Sequence, residues 1–291
     1  MGAPKAGTTW LFNCLRQHPE IHMAPCKETN FLHHEVVDGR LQEYLEHFAG
    51  ASDERIVGEI STRYLASVRA PARVASLFPE AAVLVSLRDP VRQAYSHYWH
   101  LRRQNFHQWT SEDLPQTFDA AIERYPDRIL EPARYGKHLT RWLEHVGRDR
   151  MHVIRFEDIE TVPGEVLRRL YGFLDVDARF EPGTVEGGHA SSRRGVSPRS
   201  DTLGRVHSVL HDRLNRYAFR PLKRLIGTRR AVALKDRLGL RQAMERVFMR
   251  PGYPPMPGET EAGLRRLLAD EVEQLSELLG QDFSAWVRRA A

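Results

Sequence analysis

The sequence predicts an α/β fold, a doubly wound three-layer sandwich whose central, mostly parallel sheet lies between helices. Short β-branched runs near residues 55–60, 82–87 and 151–156 alternate with segments of helical period. The run Ala82-Val83-Leu84-Val85-Ser86-Leu87 has the length and composition of a central parallel strand. With 291 residues, 41% hydrophobic and 28% charged, the chain can bury a full core as an ordinary globular protein.

Composition narrows the function classes. The 43 Lys and Arg against 38 Asp and Glu leave a net charge of +5, which suits a polyanionic ligand without demanding one. Two cysteines, Cys14 and Cys26, argue against a disulfide framework and for a reducing compartment. No apolar run approaches the roughly 20 residues that span a bilayer, and no signal peptide precedes the first motif. A cytoplasmic protein is expected.

The chain is organised around its first turn, Gly2-Ala3-Pro4-Lys5-Ala6-Gly7-Thr8-Thr9-Trp10-Leu11. Met1-Gly2-Ala3 is only the tail of a strand, so either the first strand is truncated or the true start lies upstream. Pro4 and Gly7 bend the chain, and Thr8 and Thr9 open a helix with Trp10, Leu11, Cys14 and Leu15 on its apolar face. The unpaired amides of a helix N-terminus form an anion site, and Lys5 adds a point charge. The plainer reading is a glycine turn. Because lysine precedes glycine, the loop is not a Walker A sequence.

Pro4-Lys5-Ala6-Gly7-Thr8-Thr9-Trp10 resembles instead the 5′-phosphosulfate-binding loop of sulfotransferases that use 3′-phosphoadenosine 5′-phosphosulfate (PAPS). In motif style it is similar to bacterial members close to the heparan-sulfate-type branch. The resemblance implies a P-loop-NTPase-like sandwich, PAPS as sulfuryl donor, adenosine 3′,5′-bisphosphate as product, and no metal.

After His18-Pro19-Glu20 stops the helix, Ile21 to Ala24 suits an edge strand. In Cys26-Lys27-Glu28-Thr29-Asn30-Phe31-Leu32, Lys27 matches the lysine of the family's Lys-Glu-Pro-x-Phe-Phe segment, and Thr29 stands where that segment has proline. The resemblance lets Lys27 reach the phosphosulfate; a solvated Lys27–Glu28 pair is the alternative. His33, His34 and Glu35 tempt a metal reading, but adjacent residues rarely point at one centre and no second ligand pair follows at zinc spacing. Leu41, Tyr44, Leu45 and Phe48 mark a short helix ending near Gly50.

The strand at 55–60 runs into a loop at Glu59, and strand C-termini are where open α/β sheets hold ligands. In the heparan-sulfate-type branch a glutamate here, followed by a segment ending in an aromatic residue, acts as base on the acceptor. Glu59 and Tyr64 match that pattern, while Ile60 and Arg63 depart from it. A surface carboxylate, or one orienting an arginine, is the plainer reading of Glu59.

A helix from about Ala70 to Phe78 leads to the central strand, which ends in Arg88-Asp89-Pro90. Pro90 suits the first turn of the next helix with Asp89 as its cap. Arg88 and Ser96 match the arginine and serine that grip the 3′-phosphate in sulfotransferases; taken alone, Arg88 reads as an arginine paired with Asp89. A planar guanidinium supplies two donors to phosphate and serine fixes a further oxygen. A cofactor phosphorylated at both ends of its ribose needs two anion sites, and the sequence offers one after each of two strands.

Residues 103–132, polar and dotted with Trp109, Phe118 and Tyr125, read as a lid or acceptor-side insertion. Tyr135 to Leu143 forms an amphipathic helix closed by Gly147, and Met151 to Phe156 a strand ending in the acidic pair Glu157-Asp158. A magnesium site there lacks the Walker residues that would complete it. Val166, Leu167, Leu170, Phe173 and Leu174 face the core from the next helix. Arg193, Arg194 and Gly195, with Arg199, are candidates for the family's late loop over the 3′-phosphate, although neither branch's exact sequence is present.

Residues 213–250 carry twelve Lys or Arg and two acidic residues, either a solvated face or a platform for an anionic acceptor, membrane or partner. Leu264, Leu267, Leu268, Val272, Leu275, Leu278 and Leu279 pack a last helix, and Trp286 docks the terminus. One domain over 1–291 is expected, with a cofactor-binding core at 1–200 and a helical extension at 201–291.

Two activities follow. The first is sulfuryl transfer to a hydroxyl or amine of a small-molecule or glycan acceptor, with Lys5 steadying the leaving phosphate and Glu59, or failing it His33 or His34, taking the proton. The second is a basic module binding nucleic acid or an anionic surface through 193–250. A nucleotide kinase would need the missing Walker residues. Acceptor identity and oligomeric state are not written in the sequence.

Overall fold

The computed structural model describes residues 1–34, 39–105, 114–183, 196–199 and 247–288, with isolated positions at 203, 206, 213 and 217. The chain divides into two compact units, one of Met1–Tyr95, Tyr125–Arg193 and Pro257–Ala291, the other of Ser96–Arg124 and Arg194–Met256.

In the first unit α1 (Thr8–Leu15) leads to β1 (Ile21–Met23), which pairs in parallel with β2 (Ile56–Gly58) in the register Ile21 with Ile56 and Met23 with Gly58. Between them lies α2 (Leu41–Leu45). After α3 (Ala70–Leu77), β3 (Val83–Leu87) pairs in parallel with β4 (Met151–Arg155), Val83 opposite Met151 and Leu87 opposite Arg155. Residues 1–3 run beside β3 as well. Ser86 N–H donates to Met1 O at 3.2 Å, Ala3 N–H donates to Ser86 O at 2.9 Å, and Gly2 bridges Ser86 in parallel. The expected strand tail is therefore the partner of the central strand.

Strand alternation sorts β3 between two cores. Val83, Val85 and Leu87 face one cluster, with Val74 of α3, Leu139 and Trp142 of α7 (Tyr135–Leu143), and Val272 and Leu275 of the last helix, Ala269–Leu279. Leu84 faces the other, with Trp10, Leu11 and Cys14 of α1, Ile159 of α8 (Phe156–Thr161), and Val166 and Leu170 of α9 (Pro163–Phe173). These two helical layers around parallel strands are the expected sandwich. Trp142 shows how tightly they close: it is 1% exposed and its indole N–H donates to both Tyr64 O and Leu65 O at 3.2 Å.

The expected single C-terminal helix is two, α10 (Gly258–Leu267) and α11 (Ala269–Leu279), broken at Leu268 with φ −100° and ψ 6°. Leu264 and Leu268 are buried but Leu267 is 55% exposed, so the apolar stripe changes phase at the break. Trp286 is buried against Tyr135 and Phe283, as expected of a docked terminus.

Helix α4 (Pro90–Asn105) begins in the first unit and continues in the second. The second unit also holds α5 (Phe118–Arg124) and an antiparallel pair of β5 (Val196–Pro198) with β6 (Met249–Pro251). There the Tyr98 hydroxyl donates to Gln116 O at 2.6 Å, and Trp99 stacks on Tyr253 at 5.7 Å. Much of the polar insertion is thus helical; its residues 106–113 and most of the basic stretch 213–250 lie outside the described residues. The short α6 (Pro126–Ile129) returns the chain to the first unit. Among the described residues no helix is long and apolar enough to cross a membrane, and no group of three or more His, Cys, Asp or Glu is placed to hold a metal.

Candidate active site

The first loop is held from behind by its carbonyl oxygens. Pro4 O accepts from Gln93 Nε2 at 3.0 Å, Lys5 O from Arg88 Nη1 at 3.3 Å, and Ala6 O from the Ser86 hydroxyl. All three donors come from β3 or the segment that follows it. Lys5 is thereby kept at φ 72°, a left-handed conformation costly for any residue with a Cβ.

Gly7 follows at φ 86° as the N-cap of α1. A Cβ there would lie 2.9 Å from Ile159 Cδ1 and 3.1 Å from Phe156 Cδ2, so glycine is needed for both conformation and close packing against α8. No side chain caps α1, which leaves its first-turn amides and the positive end of its dipole for an anion. Thr9 is exposed at this end, whereas Thr8 and Trp10 are buried.

Arg88 leaves the end of β3 with its guanidinium 4.5 Å above the Phe156 ring. Its bond to Lys5 O joins the two motifs that the sequence places after separate strands. Asp89 caps α4 as expected: Oδ1 accepts from Val91 N–H at 2.9 Å and from Arg92 N–H at 3.0 Å. Asp89 N–H in turn donates to Glu157 Oε1 at 2.9 Å. Burial pushes the Glu157 carboxyl above its ordinary range, and its Oε2 is buried without a partner among the described residues. Ser96 is buried on the continuation of α4 in the second unit.

Glu59 follows β2 and is enclosed by hydroxyls. Tyr64 and Tyr44 donate to Oε1 at 2.5 and 3.0 Å, Ser61 donates to Oε2 at 2.8 Å, and Thr29 also donates to Oε2. An ionised carboxylate offers about four acceptor positions, so this cage fills them. Tyr44, Ser61 and Tyr64 are buried and Thr29 is half-buried, which makes Thr29 the most accessible donor. Burial, then the Glu59 charge, raise both tyrosines well above their ordinary range and keep them as donors.

Lys27 pairs with Glu28 Oε1, while Glu28 Oε2 accepts from Thr62 N–H at 2.7 Å and Thr62 Oγ1 at 2.9 Å. This ties the Lys27 loop to the segment carrying Tyr64. His33 sits in a short 3₁₀ turn with Phe31 and Leu32. Burial first, then the charges of Arg63 and His34, hold its imidazole below the usual histidine range. His34 is exposed and Glu35 lies outside the described residues, as do Arg193, Arg194 and Gly195. Arg199 is described: its N–H donates to Phe248 O at 2.9 Å beside the β5–β6 pair.

Four partners escape a reading of the sequence alone. Gln93 and Ser86 hold the first loop and Thr29 and Tyr44 hold Glu59; only Thr29 lies in a local motif, and there it departs from the pattern. The available signals were a serine within an apolar strand and a threonine in place of the family's proline.

Comparison with known proteins shows what the chain is similar to. A family model described as "Sulfotransferase family" matches residues 42–182. Bifunctional heparan sulfate N-deacetylase/N-sulfotransferase 4 of Mus musculus is 28% identical over 201 residues, 62% of this chain and 22% of that protein. The Homo sapiens enzyme of the same name numbered 1 is 30% identical over 193 residues, 60% of this chain and 21% of its own length. The matched region is thus about a fifth of these curated relatives. The crystal structure of a sulfotransferase from Alicyclobacillus acidocaldarius superposes with a TM-score of 0.68 at 24% identity, covering 99% of this chain and 97% of that one, which establishes the fold. With parallel strands between two helical layers and the matched segment running through β2, β3 and β4, this chain shares the fold of that bacterial sulfotransferase and is similar to the sulfotransferase family over residues 42–182.

Proposed function

We propose that the chain transfers the sulfuryl group of PAPS to a hydroxyl or amine of an acceptor. The observation that carries this reading is the Arg88 bond to Lys5 O, because it fastens an arginine to the loop that ends in an uncapped helix terminus and so brings two anion-binding elements together. Two anionic groups on one small ligand are the chemistry that such a surface fits.

In this scheme Pro4, Lys5, Ala6, Gly7, Thr8, Thr9 and Trp10 form the 5′-phosphosulfate loop, its amides and Lys5 bearing the charge that grows on the leaving phosphate. Arg88 holds the 3′-phosphate. Ser96, Arg193, Arg194 and Gly195 keep the cofactor roles that the family resemblance assigns, and Lys27, His33 and Tyr64 are candidates on the sulfuryl and acceptor side. The acceptor's oxygen or nitrogen forms a bond to sulfur as the bond from sulfur to the 5′-phosphate oxygen breaks. Its proton passes to Glu59, after one hydroxyl of the cage gives way.

The relatives' names, heparan sulfate N-sulfotransferases, support an amine of a glycan as acceptor, and the two-cysteine composition supports a cytoplasmic setting. Calorimetric titration with adenosine 3′,5′-bisphosphate, beside ATP with magnesium and a short oligonucleotide, tests the reading. Saturable one-to-one binding of the bisphosphate, lost in Arg88→Ala and Lys5→Ala, is expected. Binding of ATP or the oligonucleotide but not of the bisphosphate overturns it. A panel of amino-sugar and hydroxyl acceptors with PAPS then identifies the acceptor.

A further inference from the structure

Arg265 is a buried guanidinium that belongs to neither anion motif. It lies on α10, outside the family-matched segment, and its side chain is 9% exposed. Nη1 approaches Asp89 Oδ2 at 3.4 Å across 176 residues of sequence and also donates to Trp286 O. Nε and Nη2 donate to Glu261 Oε1 at 3.1 and 2.5 Å. Burying such a charge carries a desolvation penalty, so stability alone is a poor reason for its presence.

Its position suggests another role. Asp89 is the nearest carboxylate in sequence to Arg88. Oδ1 is committed to the α4 amides, which leaves Oδ2 to face whichever cation is nearest. Arg265 takes that oxygen, with Arg92 Nε farther away at 3.8 Å. On the other side Glu157 fixes the Asp89 N–H. The Arg88–Asp89 peptide is therefore held at both its N–H and the Asp89 side chain, and the Asp89 charge is compensated by Arg265 and Arg92 rather than by Arg88. Arg88 remains over Phe156 and beside Lys5 O.

We propose that Arg265 is a positioning residue for the 3′-phosphate site: by occupying Asp89 it keeps the Arg88 guanidinium available to an incoming phosphate. This rests on the assignment of Arg88 made above. Without Arg265, the Asp89 carboxylate would keep, among the described residues, only the more distant Arg92 as a cationic partner, and would compete with the phosphate for Arg88 and repel it.

The test compares calorimetric affinities for adenosine 3′,5′-bisphosphate and adenosine 5′-phosphate, whose ratio isolates the 3′-phosphate. In Arg265→Met the ratio should fall about tenfold, the usual scale of one charge-assisted contact, while 5′-phosphate affinity stays within about twofold. The double variant Arg265→Met/Asp89→Asn, which removes the competing charge and retains a capping oxygen, should recover the ratio. If Arg265→Met does not fold, Arg265→Gln is read in its place: a lowered ratio that the added Asp89→Asn recovers supports the proposal, and an unchanged ratio overturns it. An unchanged ratio in Arg265→Met, or equal weakening of both ligands, shows a merely structural brace. Absence of bisphosphate binding in the wild-type protein would instead sink the sulfotransferase reading itself.

Discussion

The Tyr64 phenol donates to Glu59 Oε1 at 2.5 Å, and through its backbone carbonyl the same residue accepts from the Trp142 indole at 3.2 Å. The carboxylate proposed as the base is thus fastened, through one side chain, to the core between the sheet and α7. Its orientation is set by packing before any acceptor arrives.

Glu59→Gln should lower the rate of sulfuryl transfer by about 10²- to 10⁴-fold, the range of a lost general base. Affinity for adenosine 3′,5′-bisphosphate should stay within about twofold, since Glu59 is not among the residues assigned to the phosphates. Initial rates with the acceptor found in the panel, paired with calorimetry, check both. Parallel loss of binding would make Glu59 a structural residue.

Tyr64→Phe removes a donor to Glu59 and also the acceptor of Leu32 N–H, which lies 3.2 Å from the phenol oxygen. Leaving a buried amide unsatisfied costs about 1–3 kcal/mol. Chemical denaturation should show that loss as a lower midpoint with an unchanged slope; wild-type stability would mean that water replaces the phenol.

Gly7→Ala forces a Cβ into a left-handed residue and against Ile159. The conformation alone costs about 1–2 kcal/mol, with a steric cost added. Thermal melting should show the variant destabilised, and bisphosphate affinity should fall in the fraction that remains folded. A variant as stable as wild type would show that the loop can re-form without the positive φ.

Glu157 yields a prediction about pH. Burial raises its carboxyl above the ordinary 4.5, so between 4.5 and the raised value the folded state binds more protons than the unfolded one. Its contribution therefore favours folding at low pH and is lost as pH rises through that window. Glu157→Gln keeps an acceptor for Asp89 N–H and removes the titration. Melting curves from pH 4 to 8 should show the variant gaining on wild type as pH rises; curves that stay parallel would contradict the assignment.

The layers of the fold were legible because they rest on local periodicity. β3, α4 with its Asp89 cap and α7 each announce themselves within a dozen residues through alternation, a capping carboxylate or an apolar stripe. The break at Leu268 was not, because leucines at 264, 267 and 268 satisfy one continuous helix until Leu267 proves exposed. The site was legible where a motif is contiguous, as at Lys5, and where a strand ends in chemistry, as at Arg88 and Glu59. Its supports were hidden. Ser86 and Ala6 meet across 80 residues and Asp89 and Arg265 across 176, and such pairings are settled by topology rather than by neighbours in sequence. Thr29 was noticed only as a departure from the family, without its bond to Glu59.

The first loop has a consequence for transplantation. Pro4, Lys5 and Ala6 each surrender a carbonyl to a donor beyond residue 85, and the lysine between them is held in a conformation it would not choose alone. A peptide of residues 1–15, or the same stretch grafted onto another scaffold, lacks those three clamps and should relax to a turn with no fixed anion face. The portable unit is the loop together with β3 and the first turn of α4.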